Sequence, residues 1–379
     1  MYFIILLGIV SLFGDVTYEG ARSVTGPYLA TLGASAGVVG LVAGIGEFLG
    51  YALRLASGYL ADRTKAYWLL TFIGYGLLLS IPLLAFAGYW QLAAVLIILE
   101  RMGKAIRSPA RDTMLSYATK EVGRGWGFAV HEALDQVGAI IGPIVFFLIL
   151  RSHAGYSEGF TLLWIPALLT LAFLALARKK VPSPQKLEAR GETNKQNDKG
   201  KLPRVFWLYT AFTLFSVAGF ANFQLISYHL KVQSIVPDAQ ISLIYAIAMG
   251  VDALAALLAG KTYDRIGLIS LLTIPLLTLP ITFLAFSHSY SLVLISIILW
   301  GAVMGIQETI MRAAIADLTT MERRGFAYGI FNTAYGASWF LGAALMGLLY
   351  ELSINYLILF AVVMELISIP LFFLVRRAA

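Results

Sequence analysis

Charge-free stretches of membrane-spanning length recur along this chain, and they limit its fold more than any motif does. Gly159 to Ala177, Val205 to Leu230 and Gly325 to Tyr350 contain no Asp, Glu, Lys or Arg. They match or exceed the ~20 residues that a helix needs to cross ~30 Å of hydrocarbon. Two longer stretches each require a pair of helices: Ala66 to Leu99 folds back near Ala87-Gly88-Tyr89-Trp90, and Ile266 to Gln307 near Ser287-His288-Ser289-Tyr290. A membrane β-barrel would alternate apolar and polar residues over ~10-residue segments, which these continuous runs do not. With 59% hydrophobic and 13% charged residues and a mean hydropathy of +0.80, the chain reads as an all-α integral membrane protein. Twelve transmembrane spans are expected, at 3–26, 35–60, 67–87, 90–108, 125–150, 159–177, 205–230, 238–260, 268–287, 290–312, 325–350 and 354–375.

The basic residues orient these spans. Of 28 Lys and Arg, Arg151 and Lys231 fall in outer loops and Arg22, Arg54 and Arg101 within spans, which leaves 23 on the inner side when both termini are cytoplasmic. That bias is the positive-inside rule, so the pI of 9.4 is a membrane-insertion feature and no nucleic-acid partner is expected. The expected location is the plasma membrane, with the lipid bilayer as the main partner and a monomeric state. Tyr2-Phe-Ile-Ile-Leu-Leu lacks a basic leader and Asp15 and Glu19 follow it, so the first span is read as part of the fold. Cysteine is absent, which excludes disulfides, thiol redox chemistry and Cys-based metal sites.

The chain also repeats itself. Residues 178–204 hold nine basic and three acidic residues with Pro182, Pro184 and Pro203, and read as a flexible cytoplasmic linker. It separates an N-terminal six-helix bundle, 1–177, from a C-terminal one, 205–379. Gly58-Tyr-Leu-Ala-Asp62-Arg63-Thr-Lys65, read as a tight inner turn, has a counterpart in Gly260-Lys-Thr-Tyr-Asp264-Arg265-Ile-Gly267, with Asp62 and Asp264 202 residues apart. Arg124-Gly125-Trp126 is matched by Arg324-Gly325-Phe326 at an offset of 200. Two pseudo-symmetric bundles of six helices follow, an arrangement that places a transport site between halves.

These two phrases resemble the loop 2–3 signature of the major facilitator superfamily, G-x-L-a-D-r-x-G-r-k. Its eighth position is Gly267 in the second copy and Lys65 in the first, and Ala66 and Tyr67 stand where the family has basic residues. Gly138-Ala-Ile-Ile-Gly142-Pro143 resembles the family's antiporter motif, g-x-x-x-G-P; close helix packing through glycine gives the same pattern. Ile98-Leu-Glu100-Arg101 partly resembles its membrane-buried arginine motif, without the expected downstream spacing. The resemblance implies a transporter working by alternating access, in which Gly58, Asp62, Arg63, Gly260, Asp264, Arg265 and Gly267 form a conformational latch.

The ionisable residues inside spans carry the chemistry. About a dozen at ~3 kcal/mol each would cost roughly 36 kcal/mol if they faced lipid, so most must face a wet cavity or a partner. Asp15, Glu19 and Arg22 are spaced i, i+4, i+7 on one stripe of span 1. His131, Glu132 and Asp135 crowd one turn of span 5, an arrangement suited to carrying a proton. These six are the expected proton- or cation-coupling residues. Glu47, Arg54, Glu100, Arg101, Asn222, Asp252, Glu308 and Asn332 are further cavity candidates, and no metal ligand set or cofactor is expected. Trp207, Phe220, Phe223, Tyr245, Phe331, Tyr335 and Trp339 would suit an amphipathic organic substrate, although such residues more often serve as packing or interface anchors. Gly33-Ala-Ser35-Ala-Gly37 matches the serine-hydrolase G-x-S-x-G but sits in a small-residue turn between spans, without the strand-to-helix elbow that the chemistry needs. The chain is therefore expected to be a transporter and not an enzyme. The leading expectation is proton-coupled export of a small organic compound, drug-like or metabolite. The alternative is a symporter or uniporter of a charged metabolite or a divalent metal ion, and a membrane sensor or intramembrane enzyme is a distant third.

Overall fold

The computed structural model describes residues 1–119, 124–184, 202–319 and 324–378, and among them the regular structure is helical throughout. Fourteen α-helices run in chain order: α1 (Tyr2–Thr31), α2 (Ala36–Thr64), α3 (Tyr67–Gly76), α4 (Trp90–Thr119), α5 (Arg124–Arg151), α6 (Tyr156–Leu162), α7 (Trp164–Lys180), α8 (Arg204–Ala218), α9 (Phe223–Val232), α10 (Asp238–Ile266), α11 (Thr273–Ala285), α12 (Tyr290–Leu318), α13 (Arg324–Leu352) and α14 (Ile354–Ala378). They make twelve crossings, because α6 runs into α7 and α8 into α9. Most of the expected linker, residues 185–201, lies outside the described residues.

Several crossings are broken, for identifiable reasons. The third continues past α3 as 3-10 turns at Leu77–Ser80 and Pro82–Phe86, where Pro82 lacks the N–H that a helix would use. The Tyr28 hydroxyl donates to the carbonyls of Leu84 and Ala87 at its end, at 2.6 and 3.1 Å. Pro109 inside α4 frees the Ala105 carbonyl four residues back, and Ser57 of α2 donates to it at 2.7 Å. The seventh crossing breaks at 219–222: Asn222 caps α9 by accepting from the Leu225 N–H at 2.8 Å, and Trp300 Nε1 donates to the Ala221 carbonyl at 2.9 Å. Asn222, a cavity candidate by sequence, thus uses its side-chain oxygen to hold the break.

The C-terminal ends of α2 and α10 correct the expected turns. Gly58, Asp62 and Arg63 lie within α2, which continues to Thr64 because nothing in Leu60-Ala-Asp-Arg-Thr opposes a helix. It stops at Lys65, whose φ is +57°. Gly267, 202 residues later, ends α10 with a φ of +59°. The left-handed position is therefore kept in both copies, and the first copy fills it with a lysine that tolerates it less readily than glycine.

The chain clusters into two compact units. Unit 1 comprises 1–33, 49–194 and 238–246; unit 2 comprises 34–48, 195–237 and 247–379. The first turns of α10 thus belong with the N-terminal helices, and the first turns of α2 with the C-terminal ones. In unit 1, α1 packs along α5, α7 and α4, and α3 along α4. In unit 2, α8 packs against α14 and α13, and α11 against α12. The α1–α5 approach depends on glycine: a Cβ on Gly142 would collide with the Val16 carbonyl and Gly20, and one on Gly138 with the Leu12 carbonyl. Gly342 meets the Ala218 carbonyl of α8 in the same way, at offsets of 200 and 202 from Gly142 and Val16. The repeat therefore extends from the sequence into the helix crossings themselves.

Candidate functional site

The site in unit 1 is built on α1, α4 and α5, with α3 and the start of α10 beside them. Helix α4 supplies most of the charge. Glu100, Lys104, Arg107 and Arg111 are spaced i, i+4, i+7, i+11 and share one face, with Arg101 next to it. The expected span, 90–108, contained Lys104 and Arg107, while the count of inner basic residues also included both. The helix instead runs to Thr119, and Arg107 is 2% exposed.

Three clusters result. Nearest the middle of α1, the Arg22 guanidinium lies 3.6 Å from Glu19 Oε1, and the Tyr245 hydroxyl donates to Glu19 Oε2 at 2.6 Å. Tyr18 is surrounded by cations: Arg101 donates to its hydroxyl, while Lys104 Nζ and the Arg101 and Arg22 guanidinium carbons lie 4.1, 4.7 and 5.9 Å from the ring centroid. Arg107 pairs with Glu100 at 3.6 Å, reaches the Gly74 carbonyl at 3.4 Å and covers the Tyr75 ring at 4.6 Å. Both members of this pair are almost completely buried, so neither charge can be removed alone without cost.

The third cluster joins α1, α3, α4 and α5. Arg111 donates to Ser11 Oγ at 2.9 Å and lies 3.9 Å from Asp135 Oδ2; His131 Nδ1 is 3.5 Å from the same oxygen. His131 Nε2 and the Tyr75 hydroxyl each lie 3.2 Å from Ser11 Oγ. One hydroxyl thus connects a guanidinium, an imidazole and a phenol around one carboxylate. Asp15 is half-buried on α1, between Ser11 and Glu19.

The structure sorts the sequence candidates. Asp15, Glu19, Arg22, Glu100, Arg101, His131 and Asp135 all fall in this region, whereas Glu132 is exposed and within 3.4 Å of Gln136 on its own helix. Arg54 is half-buried on α2 with its guanidinium over Tyr51 at 5.0 Å, and Glu47 is half-buried on the same helix. In unit 2, Asp252 is buried under Gly305, Asn332 is half-buried and Glu308 is exposed. Asp62, Arg63, Asp264 and Arg265 are exposed, and Gly58 and Gly260 are half-buried. Gly138, Gly142 and Pro143 lie at or beside the α1–α5 contact. Lys104, Arg107, Arg111, Ser11, Tyr18 and Tyr75 were not among the candidates, and Tyr245 was named only as an aromatic suited to an organic substrate. The regular spacing of charges on α4 was the available signal for the first three.

Comparison with known proteins decides the family. The Major Facilitator Superfamily profile matches residues 5–236 and 226–379, so that its two matches cover nearly the whole chain. The chain is a member of the Major Facilitator Superfamily. It is 42% identical over 380 residues to an uncharacterized protein of Mycobacterium tuberculosis, covering 99% of this chain and 93% of that one. It is 28% identical to an uncharacterized MFS-type transporter of Methanocaldococcus jannaschii over 96% of this chain and 92% of that one. Among solved structures, the nucleoside transporter NupG superposes with a TM-score of 0.75 at 16% identity, covering 100% and 99% of the two chains. A bacterial homolog of the human lysosomal transporter Spinster gives 0.74 at 15% identity, over 100% and 97%. At such identities the likeness is one of fold. The superfamily member is thus a multi-pass transporter with the twelve-crossing fold. Nine segments among the described residues are long and apolar enough to cross a membrane, and the longest, Asp238–Ala285, holds two crossings. Helix α4 fails that test because its every window carries too many charges, the same charges that build the site.

Proposed function

We propose that this transporter works by alternating access between bundles 1–177 and 205–379, and exports a small organic compound in exchange for protons. The observation that carries the reading is the Asp135–His131–Arg111–Ser11 cluster. It places an acid, an imidazole and a guanidinium from two helices around one hydroxyl, inside a membrane-spanning unit. Protonation of Asp135 would loosen its hold on Arg111, and with it the link between α4 and α5. In this reading both termini are cytoplasmic, the plasma membrane houses a monomer, and Asp62 and Asp264 act as latches in another conformation of the cycle.

A second reading, transport of an anionic metabolite, is favoured by the three cations around Tyr18, since Arg101, Lys104 and Arg22 together could bind a carboxylate or phosphate. A thermal-shift screen of drugs, nucleosides, organic acids and sugar phosphates separates the two, because a ligand that binds the folded state raises its melting temperature. With a hit in hand, proteoliposomes under an imposed pH gradient test the coupling. Asp135→Asn is expected to abolish gradient-driven movement while counterflow exchange persists. Gradient-driven transport at the wild-type rate in that variant would refute the assignment.

A further inference from the structure

Unit 2 contains a carboxyl that the site above does not use. Glu365, on α14, is 1% exposed. Its Oε1 accepts no hydrogen bond from any described protein group, and its Oε2 lies 3.4 Å from Ser368 Oγ, whose hydrogen is directed to the Glu365 carbonyl at 2.8 Å. The carboxyl faces the break between α8 and α9. A Cβ on Gly219, the residue that ends α8, would lie 2.8 Å from Glu365 Oε1. Ser216, one turn earlier on α8 and 0% exposed, places its hydroxyl beside the carboxyl and has no other hydrogen-bond partner among the described residues.

Among the described residues no counter-charge is placed beside this carboxyl. The elements packed on α14 are α8, α11, α13 and the 3-10 turn Gly267–Leu272. Helix α11 and the turn contain no ionisable residue. On α8, Arg204 is at the far end and the Tyr209 hydroxyl donates to the Met311 carbonyl. On α13, Arg324 and Glu351 lie at the two ends, Tyr335 donates to Gln307, Tyr350 contacts His229, and Tyr328 lies a turn from the inner end. On α14 itself, Tyr356 is near the start and Arg376 and Arg377 follow Glu365 by three turns. A buried carboxyl and a serine hydroxyl thus converge at an unwound stretch of a membrane helix, and no cation among the described residues packed on α14 neutralises them.

We propose that Glu365 and Ser216, at the break of the seventh crossing, bind one monovalent cation, a proton or a sodium ion. Hard cations take oxygen donors, and discontinuous membrane helices supply them from side chains and from carbonyls freed by the break. Only an O–H bond forms or breaks in the proton case, and only ion coordination changes in the sodium case. The site rests on unit 2 alone and stands or falls independently of Asp135.

Infrared spectra of the purified full-length protein at neutral pH, together with its melting temperature in sodium chloride and in choline chloride at equal ionic strength, test this. If the cation is a proton, wild type and Asp135→Asn share a protonated-carboxyl component that Glu365→Gln lacks. If it is sodium, that component is missing, sodium chloride raises the melting temperature over choline, and Glu365→Gln removes the rise. Should Glu365→Gln fail to fold, Ser216→Ala carries the test: it is expected to shift the carboxyl component or to weaken the sodium effect by about tenfold in concentration. No Glu365-dependent component and no sodium effect, or indifference of both to Ser216→Ala, overturns the proposal.

Discussion

Tyr245→Phe probes the point at which the two halves of the chain are exchanged. Tyr245 lies in 238–246, the part of α10 that clusters with unit 1, while the rest of α10 belongs to unit 2. Its hydroxyl donates to Glu19 Oε2 at 2.6 Å and its ring is completely buried, so phenylalanine removes the donor and preserves the packing. A hydrogen bond to a charged group is worth ~1.5–3 kcal/mol, and the acceptor left behind is buried. If the bond exists only in the described conformation, its loss shifts the conformational equilibrium roughly 10- to 150-fold, at ~1.4 kcal/mol per factor of ten. The absence of cysteine makes the measurement direct: spin labels on cysteines at the exposed Ser152 and Ser234 report distances by double electron–electron resonance without background. The variant should populate a distance that wild type shows weakly. An unchanged distribution with a lowered melting temperature would show that the bond is permanent within unit 1, and would refute the reasoning.

Two further predictions concern packing. Arg107→Met leaves Glu100, 1% exposed, without its partner and should cost ~3–5 kcal/mol, whereas the double variant Glu100→Leu/Arg107→Met should regain most of it; detergent melting curves in which the double variant is no better than the single would contradict this. Gly142→Ala forces a methyl against the backbone of α1 and should lose ~1–3 kcal/mol, while Gly250→Ala, which meets nothing within 4 Å, should lose none; equal melting temperatures for the two variants would show that α1 and α5 can separate freely.

What was legible in the sequence followed from length and periodicity. Hydrocarbon thickness dictates how long an apolar helix must be, so twelve crossings could be read from uncharged runs. The repeat was legible because two short phrases recur at nearly the same offset, 202 and 200, and the structure extends it to a register at which Gly142 and Gly342 press on equivalent carbonyls. Helix α4 was read least well for a physical reason. A hydropathy rule treats charge as the end of a span, yet Lys104, Arg107 and Arg111 remain inside the helix because Tyr18, Glu100, Tyr75, Ser11 and Asp135 receive them. The break at 219–222 was invisible for the converse reason: Gly-Phe-Ala-Asn is uncharged, so no local signal separates it from a continuing helix, and only the cap at Asn222 and the Trp300 bond reveal it. The same asymmetry applies to the carboxylates. Glu19, Asp135 and Glu365 are alike as letters in apolar helices, and what distinguishes them is the company that other helices bring: a guanidinium and a phenol for Glu19, a guanidinium and an imidazole for Asp135, and two serine hydroxyls for Glu365. Function in such a chain is therefore specified by pairs of helices, and a substitution that moves one helix against another should alter transport as surely as one that removes a charge.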